Sequence, residues 1–278
     1  MKVATTIESL QDLLKDWTEK KHTIALVPTM GGLHEGHLSL VRMAKNQADK
    51  VVVSVYLNPA QFAQNEDFDS YPISTESDIV ELEKCSADAV FIPNSEQIYP
   101  KDWSFDYQVG EISSILCGVT RPHFFNGVAK VVYRLFEIVR PDIAIFGQKD
   151  FQQLFVIKKM VDDLSLGINI LSHSIVREQD GLAMSTRNKY LNKKERVTAI
   201  QLSACMNSAK DKYLSGMQID KVNTELRQEL SENFELDYAE IVDANTLKII
   251  TDNTVQIGIL CAVVLGSTRL IDNITFWR

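Results

Sequence analysis

The 278-residue chain has no run of positive charge longer than a lysine pair, as at Lys158-Lys159 and Lys193-Lys194, and its formal net charge is −8. Backbone binding to nucleic acid needs clustered positive charge, so this balance excludes a general nucleic-acid binder. No apolar run approaches the length of a membrane span; the most apolar stretch, Ile257 to Leu265, is strand-sized and contains Gly258. The cysteines are few and scattered (Cys85, Cys117, Cys205 and Cys261) and lack metal-ligand spacing, which reads as reduced thiols in a cytoplasmic protein. No secretory pattern opens the chain. Instead Met1 to Thr5 leads into an amphipathic helix, with Thr5 and Glu8 at capping-box spacing and Ile7, Leu10, Leu13, Leu14 and Trp17 on one stripe. The P-loop pattern and the spaced-glycine fingerprint of dinucleotide folds are both missing. So are internal repeats and low-complexity tracts. What is present is ordinary globular composition, 45% hydrophobic and 24% charged, with length for one large or two modest domains.

The first part alternates strand and helix signals. Strands are expected at Thr23–Val27 (ended by Pro28), Val51–Leu57, Ala89–Ile92, Ile143–Phe146 and Asn169–Val176, and helices at Ser77–Lys84, Val128–Val139 and Phe151–Asp162. Such alternation predicts an α/β fold, a Rossmann-like doubly wound parallel sheet whose ligands bind at the carboxyl ends of the strands. From Arg177 the order changes to helices (Lys193–Leu214, Asp220–Asn233) and then strands (Tyr238–Val242, Val255–Leu265, Leu270–Ile274), which predicts a smaller C-terminal α+β domain. The expected division is 1–176 and 177–278.

The densest signal is Pro28-Thr-Met-Gly-Gly-Leu-His-Glu-Gly-His37. An apolar strand precedes it, and Leu38, Val41 and Ala48 follow at helical spacing, so it forms a strand-turn-helix corner. Gly31, Gly32 and Gly36 remove side chains at the turn. Free N–H groups and the positive end of the helix dipole favour an anion there. His34 and His37 can each donate to a phosphoryl oxygen, and either can carry charge if the site favours it. The helical zinc motif pairs histidines four apart; position 38 is Leu, so that motif fails. The residues alone thus point to a phosphate or nucleotide site, with packing histidines as the alternative.

The decapeptide resembles the His-x-Gly-His signature of the nucleotidylyltransferase superfamily, shared with class I aminoacyl-tRNA synthetases. Within it the chain resembles the pantoate–β-alanine ligase family over nearly its whole length. Leu57-Asn-Pro-Ala-Gln-Phe62, Phe146-Gly-Gln-Lys-Asp-Phe-Gln-Gln153, Asp180-Gly-Leu-Ala-Met-Ser-Thr-Arg-Asn188, Leu236 to Asp243 and Thr268-Arg-Leu-Ile-Asp-Asn273 carry the match in order. The resemblance implies a ligase using ATP, (R)-pantoate and β-alanine with Mg²⁺, forming pantoyl adenylate and then pantothenate, in a cytoplasmic homodimer without nucleic-acid or membrane partners. It implies His37, His34, Lys149 and Arg187 as catalytic. An ATP pocket is expected from Met30, Gly31, Gly32, Leu33, His34, Glu35, Gly36 and His37, from Gly147, Gln148, Lys149 and Asp150, and from Val176, Met184, Ser185, Thr186 and Arg187. Gln61 and Gln153 are implied for pantoate, and Gln61 also for β-alanine; metal ligands are not implied.

The residue types fit that chemistry. Lys149 can meet a phosphate as a point charge, with Gly147 letting the backbone turn, and Asp150 can accept from ribose hydroxyls or cap a helix. Met184 to Arg187 offers two hydroxyls and a guanidinium suited to a loop folding over a triphosphate, though Ser185-Thr186 also suits a helix cap. Amides at Gln61 and Gln153 would hold a carboxylate without damping its nucleophilicity as a lysine would. The chain departs from the family at Gln148 (usually Glu), Phe124 (usually His, so His123 receives no role), Lys130 (usually Thr) and Ser77-Asp78, where an acidic pair is frequent. Asp78 is read as a helix-start carboxylate, with a part in holding Mg²⁺ as the alternative. Two competing functions are an adenylyltransferase acting on a phosphomonoester, which would want extra cations where Gln61 and Gln153 stand, and a nucleotide-binding regulator without catalysis.

Overall fold

The computed structural model describes residues 1–63 and 66–278. In chain order the elements are β1 (Lys2–Ala4), α1 (Ile7–Glu19), β2 (Ile24–Thr29), α2 (Glu35–Gln47), β3 (Lys50–Val55), α3 (Thr75–Lys84), β4 (Ala89–Phe91), α4 (Ser95–Ile98), α5 (Cys117–Thr120), α6 (Phe124–Val139), β5 (Ile143–Gly147), α7 (Phe151–Asp163) and β6 (Asn169–His173). There follow α8 (Lys193–Ala199), α9 (Gln201–Leu214), α10 (Ile219–Ser231), β7 (Glu235–Asp243), β8 (Gln256–Leu265) and β9 (Thr268–Trp277). Strands β1 to β6 form one parallel sheet in the order β1-β4-β3-β2-β5-β6, and β7-β8-β9 form a separate antiparallel sheet.

The strand order runs outward from β2 in both directions, so the switch point lies between β2 and β5, paired through Ala25–Ile143 and Leu26–Ala144. A crevice opens there at the carboxyl ends of the strands. The turn carrying both histidines leaves β2, and the turn carrying Lys149 leaves β5. Both faces of the sheet are covered, which is why its strands read as continuous apolar runs. Ile24, Leu26 and Val52 pack with α1, α6 and α7, whereas Ala25, Val27, Val51 and Val53 pack with α2 and α3. In the smaller sheet, alternate residues of β8 (Ile257, Ile259, Cys261, Val263) face α9 and α10, while Leu260 on the other face meets Phe151 of α7.

Several boundaries differ from expectation for identifiable reasons. Strand β2 continues through Pro28 to Thr29 because pairing with β5 ends at Leu26–Ala144, while pairing with β3 runs on to Thr29–Val55. The missing proline N–H therefore costs the ladder nothing on its β5 side. The capping box of α1 is Thr6 with Ser9 and not Thr5 with Glu8. The first residues, Lys2–Ala4, are taken up by a short edge strand beside β4 that the sequence did not suggest. The pattern over 193–214 is two helices separated at Ile200, and the strand expected to reach Val176 stops at His173.

Helix α6 comes unusually close to the turn after β3. A Cβ built on Gly127 would lie 2.2 Å from the carbonyl oxygen of Ala60. Gly127→Ala must therefore push the Pro59–Gln61 turn away from the helix, and overpacking of this kind costs ~1–3 kcal/mol. A drop in the urea midpoint checks this; an unchanged midpoint would show that the contact gives freely.

Candidate active site

The histidine turn is shaped by two left-handed glycines. Gly31 and Gly32 have φ of 84° and 64°, and a Cβ on Gly32 would meet the Pro72 carbonyl oxygen and Thr186 Cγ2, both at 2.6 Å. The buried Asp78 carboxylate on α3 fixes the turn, accepting the Gly32 N–H at 2.8 Å and the Leu33 N–H at 2.7 Å. Asp78 stands in the first turn of α3, as expected, and there it braces this backbone, so those two N–H groups are already taken. Glu35, expected with the ATP pocket, is exposed and ion-paired with Arg42.

Helix α2 begins with an unusual cap. His34 is its N-cap: its Nδ1 accepts the Gly36 N–H at 3.1 Å, and His37 Nδ1 accepts the His34 N–H at 3.4 Å. Each Nδ1 is an acceptor, so each ring is neutral and carries its proton on Nε2. The rings lie 4.1 Å apart and line the crevice. Burial first, then mutual repulsion and the charge of Lys149, push His34 down to about 3. Burial and Lys149 push His37 down to about 4. At neutral pH both are uncharged donors, which decides the charge left open by the sequence.

Two adjoining cavities, of about 190 and 520 Å³, lie at the switch point and between the two sheets. They share a wall of Met30, Gln61, Lys149, Asp150, Gln153, Ser185 and Arg187. His34, Gly36, His37, Gly147, Val176, Met184 and Thr186 line the smaller one. Gly31, Gly32, Leu33, Glu35 and Gln148 line neither. Gly147 has ordinary extended angles, and a Cβ there would meet nothing within 4 Å, so the turn does not require glycine; the open space faces the crevice. Asp150 precedes α7 without capping it. Ser185 does cap the short turn that follows it, accepting the Arg187 N–H at 3.3 Å, but keeps its hydroxyl proton. Thr186 is buried and donates its proton to the Gly32 carbonyl at 3.0 Å, so it joins the two loops. The Val176 carbonyl accepts the Met184 N–H at 3.0 Å.

Gln61 is aimed by Asn58. The fully buried Asn58 amide donates to Gln61 Oε1 and to the Gly127 carbonyl, both at 3.1 Å, while its own oxygen accepts from Tyr99 at 2.8 Å. With Oε1 occupied, Gln61 presents its NH₂ to the cavities.

The cations of the cavity walls differ in their freedom. Arg187 is held by Asp67 through two bonds of 2.9 and 2.8 Å, Arg121 is held by Glu66, and Arg269 by Asp237. Burial pushes the Asp67 carboxyl up, but the Arg187 bonds outweigh it and hold the carboxyl below the usual range. Lys149 stands 3.9 Å from Asp150, its nearest acid, beyond hydrogen-bond reach. Arg187, implied as catalytic, is thus held by a carboxylate. Its partner could not be found from sequence, because Asp67 lies 120 residues away. Asn58 was legible only as part of its motif. Among the described residues there is no group of three or more His, Cys, Asp or Glu that could hold a metal ion. Among the described residues no helix is long and apolar enough to cross a membrane.

A glycine-histidine turn and a lysine turn thus flank the switch point of a doubly wound sheet, the place where such folds take their ligands. Residues 2–275 match the family model of pantoate-beta-alanine ligase. A pantothenate synthetase from Vesicomyosocius okutanii is 56% identical over 278 residues, covering 100% of this chain and 98% of that protein. The crystal structure of pantothenate synthetase from Thermus thermophilus superposes with a TM-score of 0.93 at 36% identity, covering 99% of each chain. That of pantoate-beta-alanine ligase from Francisella tularensis, complexed with beta-gamma ATP and beta-alanine, gives 0.80 at 30% identity, covering 99% of this chain and 97% of that one. The chain belongs to the pantoate–β-alanine ligase family.

The neutral histidines set a pH dependence. Their folded values, about 3 and about 4, lie below the ordinary 6.5, so the unfolded chain binds more protons between these limits. Their contribution to stability is full above pH 6.5 and is lost as pH falls, toward about 4 for His37 and on toward about 3 for His34. Denaturation of the wild type and of a His34→Gln/His37→Gln variant across this window checks it: the variant's curve should be flatter. Parallel curves would mean that the rings are not held neutral.

Proposed function

We propose that this chain condenses pantoate with β-alanine, converting ATP to AMP and pyrophosphate through a pantoyl adenylate, with the residues of the shared cavity wall as its machinery. The observation that carries the reading is the meeting of two cavities at one wall. A nucleotide in the smaller and an acid in the larger would bring a carboxylate beside an α-phosphorus.

The pantoate carboxylate is ionised at neutral pH, so the first step needs no general base. It needs alignment and stabilisation of the charge developing on the phosphoryl oxygens. His34 and His37 present Nε2–H groups at the amino end of α2, where the helix dipole adds to the field. Lys149, lacking a hydrogen-bonded acid, supplies the ammonium. Ser185 has a hydroxyl proton to give. Arg187 joins by exchanging Asp67 for phosphate. The open space beside Gly147 suits close approach of a ribose, and Val176 and Met184 edge the same chamber.

Gln61 and Gln153 would hold pantoate by neutral amide contacts that leave its carboxylate nucleophilic. In the second step the β-alanine amine attacks the acyl carbon, loses its proton, and AMP departs with the acyl–oxygen electron pair. The mixed anhydride is already reactive, so proximity and exclusion of water carry this step. Thr186 to Gly32 and Tyr190 to the Ser70 carbonyl are bonds by which the segment after 177 covers the site. A phosphomonoester substrate would want free cations near Gln61, and the arginines lining the cavities are each paired with an acid.

AMP release measured with ATP, Mg²⁺, pantoate and β-alanine tests the reading. Release should require both organic substrates, and His37→Ala should lower turnover by ~10²–10³ through loss of a preorganised donor. AMP formation independent of either substrate would sink the ligase reading, and an undiminished rate would remove His37 from it.

A further inference from the structure

We infer that Asn273, on the last strand of the smaller sheet, is a positioning residue that holds the Lys149 turn in place. This rests on the role proposed above for Lys149. The Asn273 side chain is 5% exposed, and its Nδ2 donates to two successive carbonyls, those of Gln148 at 2.9 Å and Lys149 at 3.0 Å. These residues form a single short turn between β5 and α7, Gln148–Asp150, and Asp150 adds no side-chain cap. The turn therefore lacks side-chain support from its own sequence at the point where α7 begins, and strand β9, over 120 residues away, supplies it.

The residue type is what the geometry asks for. A primary amide offers two N–H donors on one nitrogen without charge. Lysine or arginine could also reach two carbonyls, but would set a second positive charge beside Lys149. Aspartate would face the carbonyls with lone pairs. The backbone is fixed at the same point: the Asn273 N–H donates to its neighbour Asp272 at 2.7 Å, and Asp272 holds Arg177 through bonds of 2.7 and 2.9 Å. Arg177 starts the segment that ends in Ser185–Arg187. Two adjacent residues of β9 thus fasten the roots of both cation-bearing segments, so that Lys149 and Arg187 are set relative to one strand. Asn273 also opens an Asn-Ile-Thr tripeptide with the form of a glycosylation acceptor; its buried, committed amide excludes that use.

The experiment compares Asn273→Asp, which keeps the shape, Asn273→Ala, Lys149→Ala, and Asn273→Ala combined with Lys149→Ala. Hydrogen exchange over 147–150 and turnover are both read, with melting temperatures confirming that each variant is folded. Both Asn273 variants should speed exchange in that turn and lower turnover. A displacement on the order of an ångström costs up to ~10²-fold. The double variant should turn over no more slowly than Lys149→Ala alone, since both changes disable one group. Unchanged exchange at 147–150, or losses that multiply in the double variant, would overturn the inference. If Lys149→Ala itself leaves turnover intact, the proposed role of Lys149 fails, while exchange still decides whether Asn273 holds the turn.

Discussion

Two backbone N–H groups at the start of α2 point at imidazole nitrogens, and the chemistry of the crevice follows from that. Gly36 donates to His34 and the His34 backbone donates to His37, so each ring uses Nδ1 as an acceptor and turns Nε2–H outward. A helix start ordinarily has free donors that serine, asparagine or aspartate would satisfy. Here the satisfying rings also line the crevice. The cap fixes tautomer, orientation and neutrality together, with burial keeping the rings uncharged. The glycine turn and its Asp78 brace place this cap at the switch point.

Neutral donors at one side put the burden of charge on the other. Most cations there are already partnered, so the cavity is not a concentration of bare positive charge, which would be costly to build. Arg187 rests on Asp67 and Arg121 on Glu66, adjacent acids on the segment leading to α3. On the proposed reading a triphosphate would compete with the Asp67 carboxylate for Arg187, whereas Lys149 has no hydrogen-bonded acid to leave; binding would then be linked to rearrangement of the covering segments through one ion pair.

The architecture was largely readable because both faces of the parallel sheet are buried, so strands and helices alternate as unambiguous apolar patterns. The edge strand Lys2–Ala4 was not, being three residues long and largely exposed. Nor was the passage of β2 through Pro28, which depends on where its neighbour stops. In the site, the residues that meet at the shared wall came from motifs legible in the sequence, most of them near strand ends. What those residues bond was not legible: Asp67 lies outside every motif, and Asn58, Asp78 and Asn273 stood in view without their partners, which only the fold sets. Sequence shows which groups can reach a ligand; it does not show which are already committed. Thr186 and Arg187, for instance, are found bonded to Gly32 and Asp67.

The state of the two rings is decisive for the site, and nitrogen-15 spectra of the histidine side chains report it directly. In the ligand-free protein near neutral pH, His34 and His37 should each show a protonated Nε2 and a bare, hydrogen-bond-accepting Nδ1. An imidazolium at either residue, or a proton on Nδ1, would contradict the cap and with it the neutral-donor description of the site.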